Sequence, residues 1–263
     1  MFEIFRDHRY LLWQFTKRQI EQRHKGSLLG VLWTVIQPLL MMAIYTVVFG
    51  LIFKGHYQGI ENQSTLDYAL GIFLSLTIFQ VVSDVICISP VIVLQQPNLV
   101  KKVVFPLEIL PLSNLFVSLY QFAISLTLTF IGVIVIGQGL SSQSIFFFVA
   151  IAPLIPLCLG ITLLLSSLGV FLRDLQQTAG PLSMLLMYSS AVFYSTNMVP
   201  SNLWWIIKFN PILHIIEQAR ATLLWHQHLN WSSISYSFVF GFGMLALGIL
   251  SFKKLKPAFA DVI

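Results

Sequence analysis

The side chains best suited to chemistry lie in the last fifth of the chain, where His226 and His228 are separated by one residue. His214 and Glu217 precede them, and together these four resemble the histidine and carboxylate sets that hold catalytic zinc. A metal site of this kind would suit a membrane-embedded transferase that acts on lipid-linked sugars. Histidines next to tryptophan, as His226 is to Trp225, are also typical of a membrane–water interface. The transferase therefore stands as the alternative function.

Elsewhere the sequence offers little chemistry. Asp84 is the only carboxylate well inside an apolar stretch, which makes it a candidate either for proton coupling or for a contact with water or a basic residue. Cys87 and Cys158 fall in separate apolar stretches, and we expect them to pack rather than to form a disulfide or bind zinc. The sequence has no Gly-x-x-x-x-Gly-Lys-Ser/Thr phosphate loop, so any ATP hydrolysis belongs to another subunit.

These residues are set among long apolar stretches. Hydrophobic residues make up 57% of the chain and charged residues 10%. Stretches of about 20 apolar residues match the thickness of a bilayer, and without strict alternation of apolar and polar residues they predict helices rather than barrel strands. The predicted fold is an all-α integral membrane protein with six transmembrane helices. The predicted spans are Val31–Phe53, Asp67–Val93, Leu107–Ile136, Ile145–Leu172, Thr178–Met198 and Trp231–Phe252.

The basic residues predict the orientation of these spans. If both termini are cytoplasmic, all but three of the 15 Lys and Arg residues lie on the cytoplasmic side, the exceptions being Lys54, Lys208 and Arg220. Such asymmetry follows the positive-inside rule and agrees with an even number of spans. The net charge of +5 thus reflects topology and contact with anionic lipids, and nucleic acid is not an expected partner.

Residues 1–30 are predicted to form an amphipathic helix and linker at the cytoplasmic interface, ahead of a transmembrane domain over residues 31–263. As a helix, this segment gathers Phe5, Leu12, Trp13 and Ile20 on one side. It serves either as an anchor or in gating and partner docking. Its basic residues attract either lipid headgroups or the diphosphate of a lipid-linked substrate. The residues proposed for substrate access are Arg6, Arg9, Arg18 and Lys25.

Two cytoplasmic breaks are candidate docking points for another subunit. Pro97 and Pro106 bracket a short amphipathic stretch with adjacent lysines, which predicts a short helix parallel to the membrane. Arg173 and Asp174 lie in the other break. They are either a second docking point or a charge pair at a helix end. The residues proposed for coupling are Pro97, Asn98, Leu99, Lys101, Lys102, Phe105, Pro106, Arg173 and Asp174.

The outer break from Pro200 to Asn230 is too polar to span the bilayer yet rich in tryptophan and isoleucine. It is interrupted by Asn210 and Pro211, which predicts a re-entrant pair of broken helices sheltered by protein or a water-filled cavity. Glu217 and Arg220, three residues apart, are expected to pair on one helix face.

Three runs in this order resemble the membrane subunits of polysaccharide-exporting ABC transporters, the ABC-2-type permeases that export O-antigen, capsule or teichoic acid. The first is RHKGSLLGVLWTVIQPL over residues 23–39, and the second is NLVKKVVFPLEILP over residues 98–111. The third is FYSTNMVP over residues 193–200, followed by Asn210-Pro211 and by Glu217 to Arg220. The likeness covers nearly the whole chain.

The resemblance implies a homodimer of six-span subunits in the bacterial inner membrane, with two ATP-binding cassette subunits on the cytoplasmic side. ATP and Mg would bind those partners, and this chain would carry no cofactor. The short helix at Pro97–Pro106 matches the element that transmits nucleotide-driven motion in this family. The substrate would be a lipid-linked polysaccharide, with O-antigen first and capsule or teichoic acid next.

The resemblance also implies that the first and fifth spans line the channel. A sugar polymer needs aromatic faces and hydroxyl groups along its path, although the same aromatic side chains could instead face lipid or pack between helices. The residues proposed for the channel are Trp33, Tyr45 and Phe49 on the first span and Tyr188, Phe193, Tyr194 and Ser195 on the fifth.

Overall fold

The computed structural model describes residues 7–52, 56–57, 64–101, 105–135 and 139–263. Most of these residues are helical, and none of them lies in a β-strand. The prediction of an all-α protein is confirmed. The α-helices are α1 (Arg9–His24), α2 (Trp33–Tyr45), α3 (Thr65–Ile92), α4 (Pro97–Lys101), α5 (Ile109–Val135), α6 (Phe147–Ile151), α7 (Leu154–Phe171), α8 (Leu175–Ser189), α9 (Ser201–Ile207), α10 (Pro211–Leu223), α11 (Trp231–Leu255) and α12 (Phe259–Val262).

Within the described residues, five helical stretches are long and apolar enough to cross a membrane. They are Gly30–Ile52, Thr65–Ile92, Ile109–Val135, Ser142–Phe171 and Trp231–Val262. The first continues α2 through a π-helical turn, and the fourth combines α6 with α7. Five of the six predicted spans therefore correspond to such stretches, while the ends predicted at Phe53 and Ile136 lie outside the described residues.

The fifth predicted span, Thr178–Met198, is not one continuous helix. Instead, α8 begins at Leu175 and has 15 residues, so it rises only about 22 Å, less than the roughly 30 Å of a hydrocarbon core. The helix ends because Ala191 adopts a left-handed backbone conformation with φ of 52°. Residues up to 195 are not helical, and a 3₁₀ turn follows at Thr196–Met198.

Side-chain caps set where several helices begin. At the start of α3, the Ser64 hydroxyl accepts from the Asp67 amide at 3.1 Å while the Asp67 carboxylate accepts from the Ser64 amide at 3.1 Å. The Asn230 side chain caps α11 by accepting from the amides of Ser232 and Ser233. These polar caps lie at the ends of apolar stretches, where free backbone amides would otherwise lack partners.

Helix α3 lies at the centre of the protein. Two-thirds of its most apolar stretch is buried, more than in any other candidate span of the described residues. It packs against α5, α7, α8 and α10. Because α3 is surrounded, its side chains Ser75, Thr77 and Ser89 are buried among neighbouring helices.

Helices α7 and α11 approach each other closely through glycine. A Cβ atom added at Gly160 would overlap the backbone of Met244, and one added at Gly248 would overlap the carbonyl oxygen of Gly160. By contrast, a Cβ atom added at Gly243, which lies on α11 together with Gly248, would meet no atom within 4 Å. Small residues let transmembrane helices come into backbone contact, and this pair is an example.

The N-terminal helix α1 lies against the first part of α5. Leu12 is buried beside Ile109 and Leu112, and the Gln19 side chain donates to the Ser113 hydroxyl at 2.9 Å. Of the apolar side predicted from the sequence, Leu12 is buried in this contact and Trp13 is 61% exposed. The side of α1 that packs on α5 carries Leu11, Leu12 and Phe15, and Trp13 points away from the protein.

Candidate functional site

Aromatic side chains from the first and fifth predicted spans meet in one cluster. The Phe49 ring stacks on the Phe193 ring with centroids 5.0 Å apart and planes 22° apart. Tyr45 and Tyr188 also contact Phe193, at centroid distances of 6.5 and 6.2 Å. We call Tyr45, Phe49, Tyr188 and Phe193 the aromatic cluster. Four of the seven residues predicted to line the channel are thus neighbours, although their contact with substrate remains a prediction.

Residues 190–195, which we call the outer segment, have three successive backbone carbonyls held by distant side chains. The Arg220 guanidinium donates to the Ala191 oxygen at 2.8 Å. The Tyr57 hydroxyl donates to the Val192 oxygen at 3.1 Å, and the Tyr68 hydroxyl to the Phe193 oxygen at 2.9 Å. Non-helical backbone at membrane depth is tolerated only when protein or water satisfies it. Here, side chains from three other parts of the chain do so.

Arg220 is the most deeply placed of these donors. Its side chain is 2% exposed, and it also donates to the Ser75 hydroxyl at 3.2 Å. The guanidinium lies over the Tyr57 ring, 4.4 Å from its centroid, a geometry that stabilises a buried cation. Burial raises the pKa of the Tyr57 hydroxyl, although the nearby Arg220 charge opposes that effect. The hydroxyl therefore keeps its proton and remains a donor.

The predicted pair of Glu217 with Arg220 is not formed. Arg220 points to the outer segment, whereas Glu217 accepts a hydrogen bond from the Thr196 hydroxyl in the 3₁₀ turn after that segment. Asn210 reaches the same region, because its side-chain amide donates to Ser190 at 2.9 Å while its oxygen caps α10 at the Ile212 amide. Asn210, Glu217 and Arg220 thus each contact the end of α8 or the residues that follow it.

The remaining predicted channel residues divide between two places. Trp33 lines a cavity of about 620 Å³ between the first three candidate spans, and Tyr45 of the aromatic cluster lines it too. The Tyr194 hydroxyl donates to the Tyr188 carbonyl at 2.7 Å, and Ser195 immediately precedes the 3₁₀ turn. The Tyr194 side chain therefore folds back onto the last turn of α8.

Asp84 lies in this cavity and reaches both polar and basic partners. Its carboxylate accepts from the Gln80 amide at 2.8 Å and from the Ser118 hydroxyl at 3.2 Å. The Arg23 guanidinium is 3.8 Å away. These contacts confirm the expected contact with a basic residue, and they join the end of α1 to α3 and α5.

Of the residues proposed for coupling, Pro97, Asn98, Leu99 and Lys101 lie in α4, whereas Arg173 and Asp174 directly precede α8. Helix α4 begins at Pro97 as predicted but ends at Lys101, and Phe105 and Pro106 are not helical. Lys102 lies outside the described residues. Phe105 and Leu99 pack against an apolar cluster that includes Phe259 near the C-terminus, and the Phe105 ring lies 5.2 Å from that of Phe15 on α1.

The exposed side chains of this region are available to another protein. Pro97, Asn98 and Lys101 are exposed, and so are Arg173 and Asp174 at the start of α8. Among the residues proposed for substrate access, Arg9, Arg18 and Lys25 are exposed as well, and Arg6 lies outside the described residues. Docking and substrate access at these residues stay predictions.

The histidines do not assemble a metal site. In the part of the chain that the structure describes, no group of three or more His, Cys, Asp or Glu side chains is placed to hold a metal ion. Instead, His214 bonds to the Lys208 carbonyl at 2.8 Å and lies against the Tyr236 ring, while Glu217 bonds to Thr196. The four residues considered for the transferase alternative, His214, Glu217, His226 and His228, are therefore not placed to hold a metal ion together.

Comparison with known proteins identifies the family. Residues 10–224 match the family described as "ABC-2 type transporter". The chain belongs to the ABC-2 type transporter family. It is also 28% identical over 255 residues to an O-antigen export system permease protein RfbA of Klebsiella pneumoniae, covering 96% of this chain and 95% of the relative. A protein of the same description from Myxococcus xanthus is 27% identical over 222 residues, covering 84% of this chain and 82% of that one.

Membership of the ABC-2 family gives the chain its general role. It is a multi-pass membrane subunit of an ABC transporter, and ATP hydrolysis is carried out by an ATP-binding partner. The chain is thus a transport subunit rather than an enzyme, and the transferase alternative is set aside. The ABC-2-type resemblance stated from the sequence is confirmed.

Several residues of the site were not singled out from the sequence. Tyr57 and Tyr68 hold the outer segment, and Gln37 and Gln121 line the cavity with Arg23. The glutamines carried a usable signal, because uncharged polar side chains inside apolar spans need a partner or a polar cavity. The tyrosines carried none, since tyrosine is common near membrane interfaces.

Proposed function

We propose that this chain is the permease subunit of an ATP-driven exporter that moves a lipid-linked polysaccharide, the O-antigen of lipopolysaccharide, across the bacterial inner membrane. The observation that carries the proposal is the similarity to O-antigen export permeases over 96% of the chain. The meeting of the first span with the fifth predicted span in the aromatic cluster supports it, since sugar rings pack well on aromatic faces.

The proposed assembly is a homodimer with two ATP-binding cassette subunits. Both termini are cytoplasmic in this arrangement, and α8 together with the outer segment completes a sixth crossing. Helices α9 and α10 then form the re-entrant pair on the outer side. ATP and Mg bind the partner subunits, and this chain holds no cofactor of its own.

The proposed mechanism has three stages. A lipid-linked glycan comes in laterally beside α1, where Arg9, Arg18 and Lys25 are exposed. The ATP-binding subunits then push on α4, and the packing of Phe105 on Phe15 passes the movement to α1. The first and fifth spans of the two subunits separate, and the polymer moves outward past α10.

The first test is complementation. A strain that lacks its O-antigen export permease, but retains the ATP-binding subunit that belongs with this chain, is expected to regain surface O-antigen when this chain is expressed. Accumulation of glycan on the cytoplasmic side, despite a correctly inserted and abundant chain, would contradict the proposed substrate. Restoration of capsule or teichoic acid export in an equivalent strain would reassign the polymer.

Reversal of the charge at Lys101 should weaken docking of the ATP-binding subunit. Lys101 is exposed at the end of α4, so Lys101→Glu changes the docking surface without disturbing the core. We expect the amount of ATP-binding subunit that purifies with the chain to fall about fivefold to tenfold. The matched control is Lys208→Glu, a charge reversal at another exposed lysine, two residues before Asn210, which should retain the partner. Equal retention by both variants would remove α4 as the docking point.

A further inference from the structure

The cavity between the first three candidate spans is a distinct feature of a single subunit. Its lining residues come from the end of α1, from Ser27 in the linker that follows and from the first three spans, and none of them comes from α8 or the outer segment. Its volume of about 620 Å³ lies within the range of about 300 to 1,000 Å³ found for small-molecule sites. The cavity is therefore large enough for a ligand and can be filled without a second copy of the chain.

The lining is rich in uncharged amides. Gln37, Gln80 and Gln121 come from three different spans, and each amide can both donate and accept hydrogen bonds. Gln80 donates to Asp84 at 2.8 Å, and Gln121 donates to the Thr34 carbonyl at 3.0 Å. Gln37 is different, because its exposed side chain has no hydrogen-bond partner among the described residues. An unpartnered amide in a polar cavity is suited to bind a ligand.

The charges of the cavity are balanced. Arg23 and Asp84 are the charged lining residues, and they lie 3.8 Å apart. A phosphate placed against Arg23 would also come close to the Asp84 carboxylate, and repulsion between like charges disfavours it. An alkyl chain would leave the Gln37 amide without a hydrogen-bond partner, which costs free energy. The chemistry that remains is a neutral ligand with many hydroxyl groups.

Trp33 provides the apolar counterpart to these amides. It lines the same cavity as Gln37 and is 36% exposed, so its ring is accessible. We propose that this cavity binds one neutral glycosyl unit of the exported polymer, with Gln37 hydrogen-bonding its hydroxyls and Trp33 packing on its apolar face. The inference rests on the proposed function, and it assigns the cavity to the glycan rather than to the diphosphate of its lipid carrier.

The test is saturation-transfer NMR on the chain with its ATP-binding partner in lipid nanodiscs. The probes are methyl glycosides of glucose, galactose, mannose and N-acetylglucosamine at millimolar concentration. At least one glycoside is expected to receive saturation, and Gln37→Leu should reduce the signal about fivefold, the effect of losing one neutral hydrogen bond. Trp33→Leu should reduce it similarly. The matched control is Gln227→Leu, an exposed glutamine outside the cavity, which should leave the signal unchanged.

Two outcomes would overturn the assignment. One is that no glycoside gives more signal with the unmodified chain than with Gln37→Leu. The other is that inorganic pyrophosphate displaces the bound glycoside, which would make this an anion site. The complementation experiment distinguishes failure of this cavity assignment from failure of the proposed function. If the unmodified chain restores export while the glycoside signal is absent, only the cavity assignment fails, whereas failure of the unmodified chain to restore export rejects the function.

Discussion

Replacement of Arg220 with methionine is expected to abolish export and to destabilise the protein. The change removes the donor to the Ala191 carbonyl and to the Ser75 hydroxyl, and it removes the cation above the Tyr57 ring. A buried polar group left without a partner costs about 1 to 3 kcal/mol. We expect a lower free energy of unfolding, measured by tryptophan fluorescence in detergent, and a fall of surface glycan of more than about tenfold, as the outer segment loses its position.

Two further variants make the Arg220 experiment decisive. Lys208→Met removes an exposed positive charge between α9 and α10, and it should leave export and stability unchanged. Arg220→Lys keeps the charge but loses the planar fork of donors, so an intermediate defect is expected. Normal export by Arg220→Met at normal abundance would show that the outer segment holds its place without this side chain.

Introduction of a valine at Gly248 is expected to prevent stable folding, whereas the same change at Gly243 should be tolerated. A Cβ at Gly248 would overlap the Gly160 carbonyl, which is backbone and cannot rotate away, so α7 and α11 would have to separate. A Cβ at Gly243, five residues earlier on α11, would meet open space. Because overpacking typically costs about 1 to 3 kcal/mol and the clash here is with backbone, we expect the upper end of that range or more.

The two glycine variants are compared by the yield of monodisperse protein after size-exclusion chromatography. Valine has the same effect on helix propensity at both positions, so the difference between the two variants isolates the contact between α7 and α11. Equal yields of Gly248→Val and Gly243→Val would show that these helices are not as close as the structure places them.

Much of the fold followed from hydropathy because a bilayer requires helices of a certain length. The five long stretches and the start of α4 at Pro97 were predictable for that reason. The end of α8 was not, because nothing in the local sequence between Ser189 and Ser195 forbids a helix. Its backbone leaves the helix where Arg220, Tyr57 and Tyr68 donate hydrogen bonds to its carbonyls, and such distant contacts cannot be predicted from a local sequence pattern.

Part of the candidate site was also predictable from the sequence. Aromatic residues proposed for the channel do meet at Phe193. This contact was predictable because the family resemblance identified which spans are neighbours. The i, i+3 spacing of Glu217 and Arg220 predicted a pair, but spacing defines only which residues share a helix face. It contains no information about a carbonyl or hydroxyl on another element that offers each side chain a better partner.

The contacts of the outer segment also determine an order of biogenesis. When residues 190–195 leave the ribosome, Tyr57 and Tyr68 have already been synthesised, so the carbonyls of Val192 and Phe193 can find their donors at once. The Ala191 carbonyl must wait for Arg220, which is 29 residues further along the chain. The end of α8 is therefore completed only after α10 has been translated and has returned to α3. Until then, the nascent protein carries an unfinished end of α8 beside its second span.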